Sequence, residues 1–443
     1  MMMLNKIINQ SQSTDFAKRL GWMLTGEGVI RVTRLVTAVV LARSLTPIEF
    51  GIAALILSID EIIKVITRNG IGLKIIQCQE QQLESVCQRA YQLNWFVHIL
   101  LFTTQILIAK PLAMAFSFDN LQALLSVLAL TYLIYPLAMV QVNLLQRQQN
   151  MRLTSLFFAI QIGSDNLLTA LFALSGFGVW SIILPKLIVA PIWVICYRLT
   201  IAWRYNRSAP KCALAEIAQY AVEVFGVELL KALRQHADRL FIGFLLGLDA
   251  LGIYYFAVNA GSGLSSALIK AFTTVALPDV CQHGRKDSIT KSAVWLDQYQ
   301  SLLKRYFIFV VPLIVLQLIT ATWYVPIIFG QQWVTAIPVL MVLCAAMIFQ
   351  GIIDTGGQIF RASGHTRQDF KVNLMSTVTF FAAICAAYWL APLTDMRLFL
   401  IAIATLLNTV IFAAIHCHMV RTTMSACYQP MRKPLLSTKY VGE

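Results

Sequence analysis

Glu27, Arg31 and Arg34 stand at i, i+4 and i+7 within an otherwise apolar stretch, Gly21 to Leu57, so a helix would carry all three on one face. Guanidinium groups arranged in this way grip phosphate or carboxylate oxygens through paired N–H donors. An acid among them can hold the cations in place or exchange a proton. The stripe has counterparts elsewhere in the chain: Asp60, Lys64 and Arg68 are spaced by four, and Glu228, Lys231, Arg234 and Asp238 fall along one helical face. Asp165, Lys186 and Lys270 bring single charges into other apolar runs, Lys186 between Pro185 and Pro191. A lipid-facing Arg costs about 2.5 to 3.5 kcal/mol even on the lenient insertion scale, so these faces must look onto protein or water.

The cations suit an anionic cargo such as a phosphate or a uronic acid. The candidate substrate-binding residues are therefore Arg31, Arg34, Lys64, Lys186, Lys231, Arg234 and Lys270, with Glu27, Asp60, Asp165 and Glu228 as coupling or structural acids. Some of these positions admit blander accounts. Lys64 and Arg68 would snorkel if they lay at an interfacial helix end. The Glu228 to Asp238 stripe would also suit an amphipathic surface helix. Asn259, Gly263, Ser266 and Lys270 share a face of the kind found at ordinary helix contacts. His98 reads as a hydrogen-bonded interior histidine rather than a proton relay.

The elements that must position these groups follow from composition. With 443 residues, 58% hydrophobic and only 13% charged, and a mean hydropathy of +0.69, the chain is too apolar for an ordinary soluble protein. Its apolar runs approach the roughly 20 residues that cross a bilayer core as helix. They predict an all-α polytopic membrane protein with spans over 22–42, 48–67, 92–110, 121–144, 153–175, 177–199, 217–246, 250–277, 306–328, 335–355, 372–392 and 397–420, twelve in all. Pro136 should kink the fourth, and the paired prolines should bend the sixth. The polar opening, Met1 to Leu20, lacks the compact apolar core of a cleaved signal peptide.

The net charge of +14 marks orientation rather than a nucleic-acid partner. Outside the spans or at their ends, Arg43, Lys110 and Arg397 are the basic residues on one side, and the others outside the spans fall in the tails and loops of the opposite side. By the positive-inside rule both termini are cytoplasmic. The nine cysteines show no CxxC spacing, and the adjacent His416, Cys417 and His418 point in different directions from a helix. Neither a disulfide framework nor a metal site is expected. No GxSxG, Walker A or HExxH motif occurs and the outward loops are short, so an enzyme is the poorer hypothesis. No cofactor is expected beyond coupling to a proton or sodium gradient.

A shift of about 200 residues, the length of a six-helix half, lays Gly51-Ile52 on Gly252-Ile253, Leu45 on Leu246 and Glu27 on Glu228. The basic linker WRYNRSAPK, Trp203 to Lys211, separates the copies. An N-terminal lobe over 1–207 and a C-terminal lobe over 208–443 are therefore predicted, with the site between them near the midplane.

The segment RLVTAVVLARSLTPIEFGIAALILSIDEIIKVITRNGIGLKIIQ, Arg34 to Gln77, resembles the opening of polysaccharide and O-antigen flippases of the multidrug/oligosaccharidyl-lipid/polysaccharide exporter superfamily. The likeness rests on the Leu-x-Pro-x-x-Phe-Gly turn at Leu45 to Gly51, the Gly70 to Gly72 segment and Ile76-Gln77. ADRLFIGFLLGLDALGIYYFA, Ala237 to Ala257, and the stretch PIIFGQQWVTAIPVLMVLCAAMIFQGI with FRASGHTRQDFKVN are similar to later segments of the same exporters. What the resemblance implies is a MATE-like, V-shaped bundle of two six-helix lobes in a bacterial inner membrane. Such a bundle moves an undecaprenyl-diphosphate-linked oligosaccharide by alternating access while the lipid tail stays in the bilayer, and works beside a polysaccharide polymerase and a chain-length regulator. The rivals are a drug/cation antiporter of the same superfamily, which favours an acidic cavity, and a polymerase or ligase of the same pathway, which needs a long outward loop.

Overall fold

The computed structural model describes residues 28–67, 71–148, 150–206, 229, 232, 236–263, 265–270, 272–273, 291–362, 366–390 and 394–426, and no strand occurs among them. Helix α1 covers 28–44, and α2 runs Pro47–Lys64. The turn between them is built from local chemistry. Pro47 cannot donate and has its φ preset for a first helical turn, while Thr46 and Glu49 cap each other's backbone amides, Thr46 N to Glu49 Oε2 at 2.9 Å.

The chain continues through α3 (Ile71–Gln77), α4 (Glu80–Ala115), α5 (Asn120–Ala129), α6 (Met139–Arg147), α7 (Met151–Leu174) and α8 (Trp180–Thr200). Then come α9 (236–246), α10 (Leu248–Ala257), α11 (Lys291–Phe309), α12 (Val311–Tyr324), α13 (Ile337–Ala362), α14 (Thr366–Leu390) and α15 (Thr394–Ala426). Eight helical stretches among the described residues are long and apolar enough to span a bilayer: Glu80–Ala115, Asn120–Leu137, Arg152–Leu174, Trp180–Thr200, Leu296–Phe329, Gln331–Phe360, Phe370–Leu390 and Met396–Thr423. Each overlaps a span predicted from hydropathy. The chain is a multi-pass membrane protein. The other four of the twelve, 22–42, 48–67, 217–246 and 250–277, are not among these eight, and the described residues cover 22–42, 217–246 and 250–277 only in part.

The predicted fourth span is broken rather than merely kinked. Regular helix stops at Ala129, resumes briefly over Thr131–Ile134, and tightens to a 3₁₀ turn at Tyr135–Leu137 before α6 begins. Pro136 lies in that turn and cannot donate to the carbonyl one turn back. Such a break is tolerated at membrane depth only where protein or an aqueous cavity shields the backbone. Here Tyr132, Pro136 and Ala138 are all buried, with Trp193, Val194 and Tyr197 of α8 packed on the break. Pro185 and Pro191, by contrast, lie inside a continuous α8.

By packing, the described chain forms two units. The first holds the residues up to Tyr255 together with Pro326–Trp333, and the second holds Phe256–Val325 and the chain from Val334 onward. Within the first unit the repeat becomes visible as a contact. A Cβ on Gly51 would meet the Leu248 carbonyl oxygen at 1.8 Å, and one on Gly252 would meet the Pro47 carbonyl oxygen at the same distance. These residues are the ones the internal repeat pairs, so the two copies touch through equivalent backbone. Only glycine permits so close a crossing.

The linker after α8 also belongs to the first unit and is fastened to α4. Trp203 donates to Glu84 at 3.1 Å, the Asn206 amide donates to Gln88 at 3.0 Å, and Gln92 donates to the Tyr205 hydroxyl at 2.9 Å. The three acceptors and donors on α4 are spaced by four, so a single helix face holds the linker.

Candidate functional site

The first unit gathers charge around the broken helix. Asp60, on the last turns of α2, is 1% exposed. Its two oxygens have separate partners: Lys64 one turn later pairs with one, and the Tyr132 hydroxyl donates to the other at 2.7 Å. Between α7 and α8, Lys186 Nζ meets Asp165 Oδ2 at 2.9 Å. The second oxygen of Asp165 is buried and accepts no protein hydrogen bond. Tyr135, in the 3₁₀ turn, lies within electrostatic reach of Lys64, Lys186, Asp60 and Asp165 together. The Asp60–Lys64 pair, expected from its spacing, and two charges predicted singly, Asp165 and Lys186, thus lie about one phenol.

The cluster can do chemistry because its charges are balanced but removable. An ion pair out of water loses much of its Coulomb gain to desolvation, so such pairs are weak devices for stability alone. Lys64 and Lys186, each with a side chain 25% exposed, can exchange a carboxylate partner for an incoming phosphate or uronate.

Helix α1 presents its predicted arginines differently. Ile30 and Thr37 are buried, and α1 docks on α7 through Asn166, which donates to Thr33 Oγ1 at 3.1 Å and accepts from Thr37 Oγ1 at 2.8 Å. Arg31 and Arg34 stand off that contact on the exposed face. Asn259, Gly263, Ser266 and Lys270 likewise share an exposed face, whereas Gly261, Ser265 and Ile269 make the helix contact. Glu27, Arg68, Glu228, Lys231 and Arg234 lie outside the described residues. His98 is buried, with Nδ1 2.7 Å from the Asn94 carbonyl, as expected of an interior histidine.

A second polar group lies on α9 and α10. The Tyr254 hydroxyl donates to Asp238 at 3.0 Å, and the Arg239 guanidinium sits 4.9 Å above the Tyr255 ring.

A family model described as "polysaccharide biosynthesis protein" matches residues 40–338. The chain belongs to this family. Among its relatives, the teichuronic acid biosynthesis protein TuaB of Bacillus subtilis is 22% identical over 386 residues, covering 86% of this chain and 77% of that protein. The lipopolysaccharide biosynthesis protein WzxC of Escherichia coli is 21% identical over 439 residues, covering 95% and 81%. The fold is that of an inward-facing multidrug resistance MATE family transporter of the MOP superfamily, with 14% identity and a TM-score of 0.73 over 90% of this chain and 95% of that one. The lipid II flippase MurJ in an inward closed conformation has the same fold, at 11% identity and a TM-score of 0.67 over 91% and 90%.

Arg147 closes the end of α3 beside Ile76-Gln77. Helix α3 ends at Gln77, and its last carbonyls have no partner within the helix. Arg147 supplies one, donating to the carbonyls of Ile75, Ile76 and Cys78 at 2.8, 3.1 and 2.7 Å and to Glu80 at 2.8 Å. The hydrogen bond to Glu80 pushes the Arg147 guanidinium further above its ordinary pKa. Tyr132 and Tyr135 were not singled out by sequence. Two hydroxyl-bearing rings just ahead of a mid-span proline were the available signal.

Proposed function

We propose that this member of the polysaccharide biosynthesis family is a flippase. It moves undecaprenyl-diphosphate-linked oligosaccharide repeats from the cytoplasmic to the outer leaflet of a bacterial inner membrane, for exopolysaccharide, capsule or O-antigen assembly. The observation that carries the proposal is the cluster of Asp60, Lys64, Tyr132, Tyr135, Asp165 and Lys186 on and around a broken helix of a multi-pass membrane protein. A charged cluster at a helix break is what a polar headgroup needs to pass an apolar layer.

In this account twelve helices form two six-helix lobes, 1–207 and 208–443, with both termini cytoplasmic. Arg31, Arg34, Lys64, Lys186, Lys231, Arg234 and Lys270 meet the diphosphate and any acidic sugars. Glu27, Asp60, Asp165 and Glu228 keep these cations poised, and exchange of a proton or sodium ion at one of them couples transport to a gradient. The chain forms and breaks no covalent bond of its cargo; a polymerase and a chain-length regulator act on what it delivers. The relatives TuaB and WzxC, named for teichuronic acid and lipopolysaccharide biosynthesis, support an anionic glycan as cargo.

The test is a charge-to-neutral series, Arg31→Ala, Arg34→Ala, Lys231→Ala and Arg234→Ala, scored by surface polysaccharide and by lipid-linked repeats retained inside the cell. Export should fall with protein levels unchanged. Normal export in all four variants would overturn the assignment of these cations. A chain that instead protects cells from organic cations and leaves polysaccharide untouched would be an antiporter.

A further inference from the structure

The short turn Pro326–Trp333 packs in the first unit, although the chain on either side of it packs in the second. Its attachment is reciprocal. Helix α1 ends with unpartnered carbonyls, and the turn caps them: Trp333 Nε1 donates to the Ala42 carbonyl at 2.7 Å, and Gln332 Nε2 donates to the carbonyls of Ala42 and, at 3.1 Å, Leu45. In return Arg43 of α1 caps the turn, with Nε 2.8 Å from the Ile328 carbonyl and Nη2 2.6 Å from that of Ile327. Trp333 is fully buried, edge-on to Phe50 at 5.0 Å between centroids.

The attachment has the marks of one that opens. Its bonds run from side chains to carbonyls, without a ladder of backbone pairs. Arg43 and Gln332 line an open cleft of about 460 Å³, from which water can replace each bond as it breaks. Irregular backbone bounds it on one side, a π-helical turn at Val325–Phe329, and Gly330 divides it with a φ of +112° that other residues rarely adopt.

We propose that Arg43, Gln332 and Trp333 form a releasable latch, in which each of two helix ends is capped by the other's side chains. The latch holds the α12–α13 turn on α1 in one transport state and lets go in the other. The need for release rests on the transport function proposed above; the geometry does not. Arg43 is then a positioning residue, acting on helix ends rather than on cargo.

The test reads exposure of the capped helix end. Ala42 is fully buried, so Ala42→Cys in the full-length chain, reconstituted in nanodiscs, reports opening by its reaction with a soluble maleimide, quantified at residue 42 by peptide mass. Adding Arg43→Ala should raise the labelling rate roughly tenfold, the effect of losing a hydrogen bond from a charged donor, and Gln332→Leu, which removes a neutral donor, should raise it roughly fivefold. Arg43→Lys, which keeps charge but loses the fork, should fall between. Undecaprenyl diphosphate should speed labelling while the latch is intact and should no longer do so in the Arg43→Ala background. Equal labelling rates with and without Arg43 and Gln332, in chains with an unchanged thermal midpoint, would overturn the latch. Flipping of a lipid-linked oligosaccharide by the Ala42→Cys parent is measured separately, so a failure of transport is told apart from a failure of the latch.

Discussion

Among the described residues, ion pairs hold the core of the first unit, and neutral amide and hydroxyl networks do comparable work in the second. In the first, Asp60 with Lys64 and Asp165 with Lys186 lie about Tyr135. In the second, Gln317 does comparable work without charge: its amide donates to the carbonyls of Ala260 and Gly261 at 3.0 and 2.8 Å and accepts from Ser265 at 2.8 Å. These bonds satisfy carbonyls at the π-helical turn Val258–Ser262, where the regular ladder lapses. Asn408 similarly links α15 to Ser376 and Thr379 of α14.

The difference separates two uses of polarity in a bilayer. Between apolar helices there is no hydrophobic gain to collect, so association relies on close packing and interhelical hydrogen bonds. Neutral networks supply those bonds at modest desolvation cost. Ion pairs supply the same cohesion at a larger one, and their presence about Tyr135 marks where charge is needed for something other than cohesion.

Breaking the two kinds of contact should therefore give opposite patterns. The largest effect is expected from Asp60→Ala, which leaves Lys64 and the Tyr132 hydroxyl without their common acceptor. Loss of one partner of a buried pair costs about 3 to 5 kcal/mol, so thermal unfolding in nanodiscs should show a much less stable chain and cellular levels should fall. Next is the neutral exchange Asp165→Asn with Lys186→Gln. It removes both charges at once and should leave stability within about 1 kcal/mol of the parent, yet lower polysaccharide export at least tenfold. The smallest effect on transport is expected from Gln317→Leu. Orphaned carbonyls at the π turn should cost about 1 to 3 kcal/mol, while export per folded molecule stays at the parent level. A Gln317→Leu chain that is stable but does not export would erase the distinction between the units.

Much of this architecture is legible in the sequence. The spans followed from apolar runs of bilayer length, the α1–α2 turn from the segment Leu45 to Gly51, and the Asp60–Lys64 pair from its i, i+4 spacing. What stayed hidden depends on contacts between helices, which periodicity does not encode. Asp165 and Lys186 stood as separate charges because nothing in a helical repeat says which faces of α7 and α8 meet. Gly51 and Gly252 were legible as copies, but not as the point where the copies touch. Arg43 read only as a basic residue in a turn, because its partners are backbone carbonyls far along the chain that carry no residue signature. The Pro136 break was legible in place, and its depth was not: a proline allows a kink, and only the packing of Trp193 and Tyr197 decides that the helix stops.

The central claim is that lysines in the charged cluster carry an anionic, lipid-linked glycan across the membrane. Its most direct measurement is the transbilayer rate of a fluorescent undecaprenyl-diphosphate oligosaccharide in proteoliposomes, for the parent and for Lys64→Gln with Lys186→Gln. The account predicts protein-dependent movement in the parent and background movement in a folded double variant. Equal rates in the two, or no movement beyond protein-free vesicles in the parent, would contradict it.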